Sequence, residues 1–237
     1  MDGFQTTSEI VDLTITGGNM CENWQNFPLS IVGATGGIIG NTIMICGGGN
    51  SDECYSLTSQ EATLVTHMSV ERRYASSIVL DETTLWVTGG NGYAGFLSST
   101  ENVTMAGTTP GPDMPMALLN HAMAAINRTM SMVIGGGDGE YFTYSYASTF
   151  YFHHSEGEWT NGPSLIQARK FHAAGIVTDE VTKENFVVVT GGLDYSDYLD
   201  STEILRDGKW DQGKINDCFL LDIFDFVDPG SLKSPHN

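Results

Sequence analysis

The sequence predicts an all-β fold built from consecutive four-stranded antiparallel units, and three observations carry that prediction. A β-branched or apolar run ending in Gly-Gly recurs four times, as NTIMICGGG (41–49), TTLWVTGGNG (83–92), TMSMVIGGGDG (129–139) and NFVVVTGGLD (185–194). Shorter signals recur at matching places around each run. The composition agrees: of 237 residues, 41% are apolar and 28 are glycine, while only 16% are charged. A helical bundle carries fewer glycines and more charge, and a disordered chain lacks the apolar content that offsets chain entropy.

The doublets begin at Gly47, Gly89, Gly135 and Gly191, giving intervals of 42, 46 and 56. Each ends a strand where the backbone must turn tightly, a place for φ > 0. Gly47, Gly48, Gly89, Gly90, Gly135, Gly136, Gly191 and Gly192 are therefore read as structural. About 15 residues before each run stands a second strand signal: VGATGGIIG, RYASSIVLD, NHAMAAINR and FHAAGIVTD, starting at Val32, Arg73, Asn120 and Phe171. A third follows the last three doublets, as STENV at Ser99, STFYF at Ser148 and STEIL at Ser201. The fourth pairs a Trp with a Gly-Pro step, as in EWTNGPSL (158–165). The segments GPDMPMALLNHA (111–122) and GPSLIQARKFHA (162–173) align without a gap and share five of twelve residues, which fixes the repeat. The runs are too short for helices and are stopped by glycine. Four antiparallel strands per period of 40–50 residues make the blade of a β-propeller, whereas a β-sandwich would not repeat its residues so regularly.

In chain order, residues 1–28 read as a partial blade holding strands three and four. Full blades are expected at 29–69, 70–115, 116–165 and 166–215, followed by a tail, 216–237, whose CFLLDIFDFVDPG is a candidate closing strand. The order of signals resembles the kelch repeat over roughly residues 7–215: Gly-Gly after an apolar strand, an ST-E/F strand, Trp with Gly-Pro, then a His-Ala strand. The resemblance implies a kelch-type β-propeller of about 4.5 blades. Kelch rings usually close with about six blades, which takes on the order of 300 residues. The expectation is thus a propeller that is incomplete or degenerate.

Function is first bounded by charge. With 10 Lys+Arg against 29 Asp+Glu, the net charge is −19, which disfavours phosphate backbones and anionic lipid, so no nucleic-acid partner is expected. No run of 18 apolar residues exists for a membrane span. The GxGxxG at 90–95 is followed by a strand pattern, not the helix a dinucleotide needs, and the repeat explains its glycines. His121 and His172 hold one repeat position and read as packed core residues. No HExxH, GxSxG or P-loop occurs, nor a copper-radical set of Tyr, Cys and His, so neither catalysis nor a cofactor is expected. Asp194, Asp197 and Asp200 lack the tight spacing of a calcium loop, and the cysteines fit no metal pattern.

Loops between second and third strands share one face of a meander with the connections between blades. That face collects Tyr93, Phe96, Tyr141, Tyr144, Tyr195 and Tyr198 with Asp194 and Asp197, joined by Arg72, Arg73 and Arg169. Aromatics and arginine in one rim are the composition of binding hot spots. The expected function is a non-catalytic module holding a protein partner of basic or mixed charge. The kelch resemblance leaves two variants open, the recognition part of a cullin ubiquitin-ligase adaptor and a secreted protein; a propeller enzyme is the remaining alternative. Compartment stays open, extracellular or cytoplasmic. Cys46 and Cys54 flank one hairpin, either as a disulfide within reach or as two reduced buried residues. Two sequons, at Asn102 and Asn127, are no more than chance supplies.

Overall fold

The computed structural model describes residues 28, 31–58, 61–138, 144–179, 182–195 and 197–213. The expected partial blade at 1–28, except residue 28, the tail at 216–237 and Tyr141 lie outside the described residues. Within them the chain is all-β, without a helix, and forms four four-stranded antiparallel sheets. The first sheet is β1 (Thr35–Ile39), β2 (Thr42–Cys46), β3 (Glu53–Leu57) and β4 (Ala62–His67), paired in that order. The second is β5 (Ser76–Val79), β6 (Leu85–Thr88), β9 (Thr100–Thr104) and β10 (Gly107–Gly111). Between β6 and β9 a small hairpin projects, β7 (Asn91–Gly92) against β8 (Gly95–Phe96). The third sheet is β11 (Ala122–Asn127), β12 (Met130–Ile134), β13 (Thr149–His153) and β14 (Glu158–Asn161). The fourth is β15 (Ala173–Thr178), β16 (Asn185–Thr190), β19 (Thr202–Arg206) and β20 (Lys209–Gly213). Its own hairpin is β17 (Leu193–Asp194) against β18 (Asp197–Tyr198).

The sheets stack face to face in chain order, their first strands β1, β5, β11 and β15 touching in succession. The second strands β6, β12 and β16 are buried on both faces, which is why they read as unbroken apolar runs and not as alternating ones. Leu85 and Val87 of β6 point to the first sheet and meet Met44, Cys46 and Met68. Trp86, between them, points to the third sheet and packs on Phe152 and Trp159, with ring centres 4.8 and 5.6 Å away. The same division holds in β12, where Val133 faces the second sheet while Met132 and Ile134 meet Val187, Val189 and Trp210 of the fourth. Each fully buried side chain of this size contributes about 1.5–3 kcal/mol.

Two recurring sequence signals acquire a physical cause. The outer-strand tryptophans donate from Nε1 to the Gly-Pro carbonyl of the preceding sheet, Trp159 to Pro112 at 3.4 Å and Trp210 to Pro163 at 2.9 Å. Hydroxyls of the carbonyl's own sheet reach the same oxygens, Thr100 to Pro112 and Thr149 to Pro163. The glycine doublets at Gly47, Gly89 and Gly135 are the points where the connection to the next sheet crosses. Gly89 (φ 60°) and Gly90 (φ 97°) are both left-handed, and Gly90 N donates to Leu118 O at 2.8 Å. A Cβ on Gly89 would stand 2.5 Å from that carbonyl. The doublets at Gly47, Gly135 and Gly191 repeat the positive φ, as do Gly48, Gly136 and Gly192. The GxGxxG glycines likewise serve a hairpin, β7–β8, with no helix after it.

Candidate functional site

The connections between sheets and the projecting hairpins lie on one face, because they pair directly. Arg73 bridges Asn91, Leu119 bridges Gly137 and Lys170 bridges Leu193, each antiparallel. Beside these bridges runs a chain of four left-handed residues, one per sheet: Gly33 (φ 71°), Tyr74 (φ 58°), Asn120 (φ 53°) and Phe171 (φ 56°). Tyr74 N donates to Gly33 O at 2.7 Å, Asn120 N to Tyr74 O at 2.9 Å and Phe171 N to Asn120 O at 3.0 Å. A left-handed non-glycine residue costs of order 1 kcal/mol or more, and here the turn aims each amide at the neighbouring sheet. Three unlike residues fill the role, so letter identity alone does not reveal it.

The tyrosines stand clear on this face. Tyr93 is 96% exposed at the tip of β7–β8, and Tyr198 is 89% exposed on β18. Tyr195, 67% exposed, forms the tip of β17–β18, and Tyr144, 57% exposed, flanks it from the third sheet. These last two are brought together: Ser145 Oγ donates to Leu193 O at 3.3 Å and accepts from Tyr195 N at 3.1 Å. Lys170 Nζ lies 3.5 Å from Tyr144 O. Burial lowers the Lys170 pKa, and the carboxylate of Asp194 works against that shift. Asp197 is exposed, whereas Asp194 and Phe96 are half-buried. Arg73 is half-buried, its guanidinium 5.8 Å from the centre of the Tyr74 ring.

Arg72 and Arg169 depart from the expectation of a shared arginine rim. Both side chains are wholly buried, paired with Glu101 at 2.5 Å and Glu203 at 2.8 Å. Arg72 also donates to Gly89 O and Ser99 O, and Arg169 to Gly191 O and Ser201 O, so each guanidinium ties the incoming connection to strands of its own sheet. The glutamates accept from the same connections, Glu101 from Ser69 N and Glu203 from Ile166 N, both at 2.7 Å. Neither arginine can reach a partner. The third sheet places Leu118 and Phe150 at the corresponding positions, an apolar answer to the same packing need. The pattern is visible within the sequence: the two connections with Arg go with Ser-Thr-Glu strands, and the one with Leu goes with Ser-Thr-Phe.

Cys46 and Cys54 form a disulfide between directly opposed residues of β2 and β3, Cα atoms 4.1 Å apart. The fourth sheet has Thr190 and Thr202 at that register, sharing a hydrogen bond of 2.9 Å. The bridge staples the base of the first sheet's loop on the same face. His121 and His172 are buried just before β11 and β15, and His121 Nε2 hydrogen-bonds Thr88 Oγ1 at 2.8 Å. Burial pushes both imidazoles down to about 3, so they are neutral at pH 7. Among the described residues, no group of three His, Cys, Asp or Glu could hold a metal ion, and no helix is long and apolar enough to cross a membrane.

No family model matches the chain, and no curated protein matches it.

Proposed function

We propose that the four sheets are consecutive blades of a kelch-like β-propeller whose hairpin face holds a protein partner without catalysis. The observation that carries this reading is the set of four exposed tyrosines, Tyr93, Tyr144, Tyr195 and Tyr198, on one loop face above a scaffold locked by buried pairs. Rigid aromatics that keep one wet end are the side chains binding surfaces use. The successive contacts of β1, β5, β11 and β15 support a propeller-like arrangement of the blades. Withdrawal of Arg72 and Arg169 leaves the face more acidic than the sequence suggested, and the chain carries −19 overall. That favours a basic partner, with electrostatics raising the rate of encounter. Of the variants, the disulfide favours a protein of an oxidising compartment over an intracellular ligase adaptor.

Selection of a displayed random-peptide library on the immobilised chain tests the reading. Peptides rich in arginine or lysine should be enriched at low salt, and Tyr144→Ala with Tyr195→Ala should abolish their capture while the far-ultraviolet spectrum is unchanged. Capture that survives both substitutions overturns the proposed face.

A further inference from the structure

We propose that Asn127 is an acceptor site for an N-linked glycan and that Asn102, the other sequon, is not. The motif Asn-x-Ser/Thr occurs at both, and the structure separates them. Asn127, Arg128 and Thr129 are all exposed at the turn between β11 and β12. Asn127 Oδ1 accepts from both Thr129 N and Thr129 Oγ1 at 2.8 Å, so the amide and the hydroxyl that define the motif already face each other in a local turn. That turn needs no tertiary partner, and so it is available to the nascent chain.

Asn102 lies within β9, directly opposite Trp86. Residues opposed across a ladder share a face, and that face packs against Phe152 and Trp159 of the third sheet. A glycan there would hold the second and third sheets apart.

A second, independent observation points to the compartment where such transfer occurs. The Cys46–Cys54 bridge is a buried structural disulfide, of the kind made in oxidising lumens. In the transfer, the Asn127 amide nitrogen attacks C1 of a sugar on a lipid-linked pyrophosphate donor. The C1–N bond forms, the C1–O bond to pyrophosphate breaks, and the amide loses one proton. Asn127 sits at the far end of β11 from Ala122, roughly 16 Å along the strand, so its glycan would leave the hairpin face open.

The test is expression of the whole chain behind a cleavable secretory leader in cultured animal cells, read by mobility before and after peptide-N-glycosidase. One glycosidase-sensitive shift is expected, kept in Asn102→Gln and in Thr129→Ser, and lost in Asn127→Gln and in Thr129→Ala. Appearance of each variant in the medium reports that it folds. A wild-type chain without the shift, or a shift that survives Asn127→Gln, overturns the proposal.

Discussion

Tyr74 and Phe171 meet edge to face with ring centres 6.3 Å apart, although the whole of the second and third sheets separates them in the chain. Both are left-handed, and both are linked through the backbone of Asn120. The contact brings together the connections that lead into β5 and β15. A β-branched residue tolerates the left-handed region poorly. Phe171→Val should therefore lose about 2 kcal/mol, from strain and the lost ring contact together, whereas Phe171→Tyr should be near neutral. Urea midpoints with unchanged slopes would check both values.

The buried Arg72–Glu101 pair invites a double replacement. Removing one partner strands a buried charge, so Arg72→Leu or Glu101→Phe alone should cost about 3–5 kcal/mol. Together they reproduce the Leu118–Phe150 solution of the third sheet, and the double variant should be more stable than either single one. A double-mutant cycle in denaturant gives the coupling, and additivity of the two losses would refute the equivalence of the sheets.

The disulfide closes a short loop, so its loss should cost about 2–3 kcal/mol by chain entropy. Replacing Cys46 and Cys54 by threonine installs the hydrogen-bonded pair of the fourth sheet, and part of the loss should return relative to alanine. Thermal midpoints of the two double variants, measured side by side, distinguish these outcomes.

His121 and His172 set a pH dependence whose sign follows from their burial. Their pKa is about 3 in the fold and about 6.5 in the unfolded chain, so the unfolded state binds more protons between those limits. Stability is complete above about pH 6.5 and is lost progressively toward pH 3, by at most about 1.4 kcal/mol per histidine per pH unit. The window from pH 6.5 to 5 lies above the ordinary carboxylate range; there His154, lowered by burial, adds to the slope, and His67, raised by its hydrogen bond to Asp52, opposes it. His121→Gln with His172→Gln should flatten the slope of unfolding free energy there, whatever it does to absolute stability.

Much of this fold was legible in the sequence because its repeat is enforced by backbone needs that few residues satisfy. The doublet at Gly89 lies where a connection crosses, and Trp159 and Trp210 recur because a carbonyl of the preceding sheet waits for each. The chain of left-handed turns was hidden, since Tyr74, Asn120 and Phe171 share geometry without sharing chemistry. The hairpins β7–β8 and β17–β18 were foreseen only as loops, being two residues per strand and too short to show alternation. The roles of Arg72 and Arg169 were misread for another reason: arginine in a loop suggests a surface, and only its match with Ser-Thr-Glu some thirty residues later marks it as internal.

The tryptophan-to-carbonyl bonds have a temporal meaning as well. Trp159 and Trp210 each stand 47 residues after the proline whose carbonyl they bind. As the chain leaves the ribosome, the second and third sheets therefore gain this bond only once the outer strand of the following sheet has emerged. Synthesis from the N-terminus thus leaves the second sheet to be completed by the third, and the third by the fourth.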